Sequence, residues 1–118
     1  MGTFTSPLRV SGMDERKTRE IEATVDTGAA YTTLPSSLLR EVGVEPAGRR
    51  RFLLADGRQV ELDYVRAWVA INGEREVTIV VFADDDAPAL LGAYTLEGLG
   101  LAVDPVRQRL VPAQLIMY

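Results

Sequence analysis

The residues whose types and spacing could do chemistry are Asp26-Thr27-Gly28, which follow the alternating apolar positions of Ile21–Val25. An acidic side chain at the end of a buried strand is costly unless something shares its charge. The hydroxyl of Thr27 can hydrogen-bond nearby, and Gly28 lets another backbone approach closely. Two interpretations stand at this point: an Asx-type turn at the strand end, and a catalytic carboxylate.

The composition excludes several other kinds of active site. The chain has 0 histidines and 0 cysteines, so it has no Ser-His-Asp or Cys-His nucleophile, no disulfide and no histidine or cysteine zinc ligand. Catalysis must therefore come from carboxylates, hydroxyls, Lys17 or arginines, and we expect no cofactor and no metal. The net charge of −4 disfavours a nucleic-acid partner.

Length and hydropathy favour a single domain over residues 1–118. A hydrophobic fraction of 47% is ordinary for a globular protein, and 118 residues suffice for one core. No apolar run approaches the roughly 20 residues that a membrane helix needs, so we expect no membrane segment. The N-terminus has no basic segment followed by an apolar core, so a complete chain of this sequence is expected in the cytoplasm.

The elements around the motif follow from periodicity and turn residues. Thr3–Val10 and Thr18–Val25 are predicted to form two antiparallel strands, the second of which leads into Asp26. Ala29–Leu34 is interpreted as a short turn of small residues. A helix is predicted over residues 36–42, with a proline in its first turn and a glycine after its end.

A hairpin is predicted around Asp56-Gly57, because this pair lies between two apolar runs and favours turns that match strand twist. After Tyr64 the apolar residues change from even to odd positions, which predicts a bulge near Tyr64–Val65. Asn72-Gly73 is predicted to be a second hairpin turn, leading into a buried strand at Val77–Phe82.

Two charged runs have an ordinary and a functional interpretation. Asp84–Asp86 resembles a metal loop, but a calcium loop needs ligands spaced along a defined turn, so a solvated loop is favoured. Arg49–Arg51 is interpreted as a solvated strand start rather than a nucleic-acid patch. The apolar tail Leu115–Tyr118 is expected to need a partner surface.

Four features follow one another in the order found in retropepsin-like aspartic proteases, and the chain resembles their small bacterial members most closely. They are the motif Val25–Ala29, the hairpin Leu54–Val60, the apolar-apolar-Gly element Leu90–Gly92, and the helix with its following strand at Leu96–Leu101. The resemblance covers nearly the whole chain. It implies a mainly β fold: a closed acid-protease-like β barrel with two short helices and one lobe per chain.

The resemblance also implies an aspartic endopeptidase with no cofactor. Because each chain carries one Asp-Thr-Gly, the enzyme would be a homodimer. Asp26 would meet its own copy across a twofold axis, and the pair would share a proton and activate a water, as is established for that family. Thr27, Gly28 and Ala29 would support the site. The residues Ala55, Asp56, Gly57 and Arg58 would form a substrate-binding flap over a peptide or protein substrate.

Departures from the viral pattern keep a second hypothesis open. The predicted flap tip carries Asp56 and Arg58 where viral flaps are glycine-rich, and Ala30-Tyr31 replaces an acid common in viral enzymes. Ala93-Tyr94 follows Gly92 where viral enzymes often have an arginine. The alternative is a protease-like dimerisation or peptide-binding module with little or no turnover. The sequence does not indicate the substrate or the cleavage specificity.

Overall fold

Short segments of alternating hydropathy become strands in most of the chain. The computed structural model describes residues 3–114 and Met117. Within these residues the chain forms nine strands and two helices: β1 (Thr5–Ser11), β2 (Thr18–Val25), β3 (Thr32–Pro35), α1 (Ser36–Glu41), β4 (Gly48–Leu53), β5 (Gln59–Ile71), β6 (Glu74–Ala83), β7 (Leu90–Leu91), α2 (Ala93–Gly98), β8 (Leu101–Asp104) and β9 (Arg109–Pro112).

Seven of these strands form one sheet in the order β1-β2-β7-β3-β6-β5-β4. β1 also pairs with β5, so six strands connect in a ring, and β4 extends it from β5. β8 and β9 form a separate antiparallel pair. The mainly β architecture and the two short helices agree with the prediction, whereas the closed barrel stays a prediction.

The core is formed where the strands turn their apolar face inward. In β1, for example, Leu8 and Val10 are buried while Arg9 between them is exposed. Burying a side chain of this size stabilises the fold by about 1.5–3 kcal/mol relative to leaving it exposed. Each helix has only 6 residues and would not be stable alone, so packing against the sheet maintains both.

Both predicted hairpins and both predicted helices are confirmed. β4 and β5 pair around the Asp-Gly turn, and β5 and β6 pair around Asn72-Gly73. α1 and α2 end before Gly43 and Gly100, which have φ values of 87° and 69°. Neither helix of the described residues is long and apolar enough to cross a membrane.

The predicted bulge near Tyr64–Val65 is wrong. The pairing of β5 with β6 runs without interruption from Tyr64 to Ile71. The apolar positions change phase because the strand passes from one environment to another: Leu62 lines an open cleft, whereas Val65 and the odd positions after it are buried in the core. The same strand therefore turns its apolar side chains to opposite faces in its two halves, first toward the cleft and then toward the core.

Residues 29–34 contain the start of a strand that the sequence pattern does not predict. β3 pairs parallel to β6 and meets β7 on its other side. Pro35 ends this strand with a φ of −57° and a ψ of 136°, so it precedes α1 instead of lying in its first turn. Four residues are too few to show a period, and the partners on either side decide their conformation.

The acidic run after β6 is an exposed loop, in agreement with the favoured interpretation. The carboxylate of Asp85 accepts a hydrogen bond from the Ser37 N–H at 2.9 Å, at the start of α1. This bond lowers the pKa of Asp85. No group of three or more acidic side chains in the described part of the chain is arranged to hold a metal ion.

The prediction that the C-terminal tail needs a partner surface is not tested by the structure. Met117 is 96% exposed. Leu115, Ile116 and Tyr118 lie outside the described residues.

Candidate active site

Asp26 is the first residue after β2, and main-chain hydrogen bonds hold the chain on both sides of it. The Asp26 N–H donates to the carbonyl of Leu91 at 3.0 Å, and the Val25 N–H donates to that of Phe4 at 2.9 Å. β7 lies parallel to β2 and pairs Leu91 with Val25. The alternation that buries Val25 therefore brings Asp26 to a fixed position at the strand end.

The Asp-Thr-Gly turn orients the carboxylate. The Gly28 N–H donates to Oδ1 of Asp26 at 3.0 Å, and the Ala29 N–H donates to its main-chain carbonyl at 3.1 Å. Asp26 is half-buried, whereas Thr27 and Gly28 are exposed. Of the two carboxylate oxygens of Asp26, only Oδ1 accepts a hydrogen bond from the described residues. The two interpretations of the motif are thus compatible, since the Asx-type turn leaves Oδ2 open.

Asp26 lines an open cleft of about 580 Å³. The turn after Asp26, β3, the β4–β5 hairpin, β6 and β7 all contribute to its wall, which is mostly apolar. Large apolar side chains on the wall include those of Phe52, Leu54, Leu62, Val81 and Leu90. A cleft of this size with a few polar groups is typical of a ligand site.

The hairpin between β4 and β5 forms one side of the cleft, but its tip does not. Of the four predicted flap residues, Ala55 lines the cleft with Asp26, whereas the exposed Asp56, Gly57 and Arg58 do not. The carboxylate of Asp56 accepts hydrogen bonds from the Arg58 N–H at 3.0 Å and from its Nε at 2.7 Å. Together these bonds lower the pKa of Asp56, the main-chain bond most. The role of the hairpin as a flap stays a prediction.

An aromatic cluster connects the hairpin to the active-site turn. The ring of Tyr31 lies edge-on to Phe52 of β4, with centroids 6.0 Å apart, and 5.9 Å from Tyr94 of α2. Sequence reasoning did not assign these residues to the site. The available signals were Ala30-Tyr31 and Ala93-Tyr94, which stand where viral relatives often carry an acid and an arginine.

The apolar-apolar-Gly element lies directly against the active-site turn. A Cβ on Gly92 would be 2.6 Å from the carbonyl carbon of Tyr31, so any side chain there would force the backbone to shift. The N–H groups of Ala93 and Tyr94 donate to the carbonyls of Ala29 and Ala30 at 2.8 and 2.9 Å. The glycine is therefore required because two backbones meet at this point.

Comparison with known proteins gives one family match. A family model described as aspartyl protease matches residues 6–95. The chain belongs to the aspartyl protease family. The match includes Asp26, the β4–β5 hairpin and Gly92, and it ends before β8 and β9. No curated protein matches the chain.

Three buried hydroxyls lie behind the turn of this aspartyl protease domain. Oγ1 of Thr95 in α2 lies 2.6 Å from Oγ1 of Thr32 and 2.9 Å from Oγ1 of Thr78. Thr32 also accepts a hydrogen bond from the Gly92 N–H at 3.1 Å. Sequence reasoning missed this network, because nothing local distinguishes these threonines from others in strands and helices.

A second hollow of about 180 Å³ is also lined by residues of the Asp-Thr-Gly turn. Asp26 and Thr27 line it together with Phe4, Val103 and Pro105. The β8–β9 hairpin therefore also borders the Asp-Thr-Gly turn.

Proposed function

We propose that this protein is an aspartic endopeptidase that acts as a homodimer, with Asp26 of each chain forming the catalytic pair. The observation that carries the proposal is the position of Asp26. Its carboxylate is oriented by the Gly28 amide and lines a mostly apolar cleft beside a hairpin, in a chain of the aspartyl protease family.

The need for a second copy follows from the chemistry. Peptide hydrolysis by this route uses two carboxylates, and the chain has one Asp-Thr-Gly. A twofold dimer supplies the second carboxylate from an identical turn. In such a dimer the exposed side chains of Leu53, which lines the cleft and is 72% exposed, and Val106, which lies in the β8–β9 turn and is 89% exposed, would be available to contact the partner.

In the proposed reaction the two Asp26 side chains share one proton. The ionised carboxylate takes a proton from water as the water oxygen bonds to the peptide carbonyl carbon, and the other carboxyl gives its proton to the carbonyl oxygen. The tetrahedral diol then collapses: one hydroxyl gives its proton to the ionised carboxylate as the carbonyl re-forms, the C–N bond breaks, and the protonated carboxyl gives its proton to the leaving nitrogen. One proton remains on the pair, so the site is ready for another cycle.

The neighbouring residues have supporting roles in this proposal. Gly28 holds Oδ1 of Asp26 and leaves room for the substrate backbone. Thr27, which is exposed beside the carboxylate, would hydrogen-bond across the dimer, and Ala29 fixes the turn through its bond to Asp26. The residues Ala55–Arg58 would lie over the bound peptide, and the apolar wall would hold its side chains.

The test is cleavage of a mixed peptide pool by the wild type and by Asp26→Asn, from acidic to neutral pH. We expect cleavage by the wild type, loss of at least about a thousandfold in rate with Asp26→Asn, inhibition by pepstatin-like compounds and no effect of zinc chelators. Asp86→Asn, which removes an exposed acid outside the site, serves as the matched control. Full activity in Asp26→Asn would exclude the proposal, and peptide binding without turnover by the wild type would favour the binding-module alternative.

A further inference from the structure

A chain of three buried threonines connects the segment behind the active site to the sheet. Thr32 is 0%, Thr95 1% and Thr78 4% exposed. Thr95 is the central member, with its Oγ1 2.6 Å from that of Thr32 and 2.9 Å from that of Thr78. These residues come from β3, α2 and β6, so the hydroxyls join three elements that are distant in sequence.

The threonine chain meets the segment that carries the main chain of Asp26. Oγ1 of Thr32 accepts the Gly92 N–H at 3.1 Å. The preceding carbonyl, of Leu91, accepts the Asp26 N–H at 3.0 Å. A shift of the Leu91–Gly92 peptide therefore moves the anchor of Asp26, and Thr32 is the side chain that fixes this peptide.

Packing alone does not account for hydroxyls at these positions. Valine has nearly the same shape as threonine, and a buried hydroxyl costs free energy unless it is hydrogen-bonded. No buried side-chain nitrogen or oxygen in the described residues lacks a partner. A fully satisfied hydrogen-bond network rigidifies the elements that it joins and specifies one arrangement of them.

We propose that Thr32, Thr78 and Thr95 are positioning residues that hold the Leu91–Gly92 peptide, and through it Asp26, in the geometry that hydrolysis needs. The catalytic part rests on the proposed function. They touch neither substrate nor the reacting atoms. Their effect is on the orientation of the carboxylate, to which catalytic rates are highly sensitive.

The first test compares Thr95→Val, which removes the central hydroxyl, with Thr95→Ser, which keeps the hydroxyl and removes the methyl. We expect kcat to fall about tenfold or more in Thr95→Val with KM within about twofold, since substrate contacts are unchanged. Thr95→Ser keeps kcat within about threefold, although losing a buried methyl lowers its Tm by several degrees.

A remote core variant separates positioning from general stability. Val10 is 1% exposed and lies in β1, away from Asp26, so Val10→Ala is expected to lower Tm by several degrees and leave kcat unchanged. If kcat in the three variants follows Tm alone, or if Thr95→Val keeps wild-type kcat, the positioning role is overturned. If Thr95→Val does not fold, Thr78→Val is used in its place, because it removes only the terminal hydroxyl of the threonine network.

Amide hydrogen exchange gives a readout that does not depend on turnover. We expect the amides of Gly92 and Asp26 to exchange at least about tenfold faster in Thr95→Val than in Thr95→Ser, because the first variant loosens the peptide that they share. Absence of hydrolysis by the wild type would refute the proposed function, whereas equal exchange in the two variants would refute the positioning role.

Discussion

Gly92 has the least room for a side chain among the glycines of the described residues. An alanine Cβ there would lie 2.6 Å from the Tyr31 carbonyl carbon and 2.7 Å from its oxygen. Both are backbone atoms of the turn that follows Asp26, so relief of the clash must displace that turn. We expect Gly92→Ala to lower the free energy of unfolding by about 3 kcal/mol and to reduce turnover strongly.

Chemical denaturation checks this expectation, with Gly98→Ala as the matched control. A Cβ on Gly98 would lie 3.5 Å from the Glu76 side chain, an ordinary contact, and alanine favours helix more than glycine does. The control should therefore be neutral or slightly stabilising. Equal unfolding midpoints for the two variants would mean that Gly92 is not in close contact with Tyr31.

At the residue scale, the sequence predicts those site residues whose role can be recognised from their immediate neighbours in the chain. Short motifs contain Asp26, Gly28 and Gly92. In these motifs the residue type itself indicates the structural role, which is a charge at a strand end or a close approach of two backbones. Tyr31 and Phe52 become neighbours only after β4 extends the sheet and β3 pairs with β7. Their contact depends on tertiary pairing, which no window of sequence contains.

The β4–β5 hairpin tip is an element with a built-in pH dependence. Hydrogen bonds from the main chain and then the side chain of Arg58 lower the pKa of Asp56. A lowered pKa means that the tip gains order from these bonds above the ordinary aspartate value of about 3.9 and loses it as the pH falls through the lower folded value. We therefore expect the tip to loosen only in strong acid.

NMR titration of the Asp56 carboxyl carbon measures this directly. In Arg58→Gln the midpoint should rise but stay below the ordinary value, because the main-chain N–H at position 58 still donates to the carboxylate. Asp56→Asn should remove the acid-dependent change in tip order. Identical midpoints in the wild type and Arg58→Gln would show that the guanidinium does not bind Asp56 in solution.

Strands and helices are predictable where apolar and polar residues alternate over a long segment. They are not predictable where neighbouring strands determine the conformation. The alternation in β1 and β2 and the Asp-Gly and Asn-Gly turns are sufficient to predict two strands and two hairpins. β3 has only four residues, and its conformation comes from β6 and β7. The change of phase in β5 indicates a change of surroundings, from cleft to core, but it is indistinguishable in sequence from a bulge.

At the scale of the whole molecule, each chain has one Asp-Thr-Gly, so the proposed catalysis requires two chains to assemble. Asp26 lines both the cleft and the hollow near Phe4 and Val103. In the proposed dimer both copies of Asp26 meet at the twofold axis. Two carboxylates in contact hold one proton between them, so the dimer retains a proton that separated chains release.

This proton gives the last prediction. Above the ordinary aspartate pKa of about 3.9 the proposed dimer binds more protons than the separated chains, so in this range it is stabilised as the pH falls and weakened as the pH rises. Its dissociation constant should therefore increase from mildly acidic to alkaline pH, and activity should fall in parallel. Asp26→Asn keeps the shape and removes the repulsion, so its dimer should be inactive, tighter than wild type at neutral pH and nearly independent of pH. Sedimentation of both proteins at fixed salt measures this; parallel curves, or an active monomer, would show that the two carboxylates do not meet.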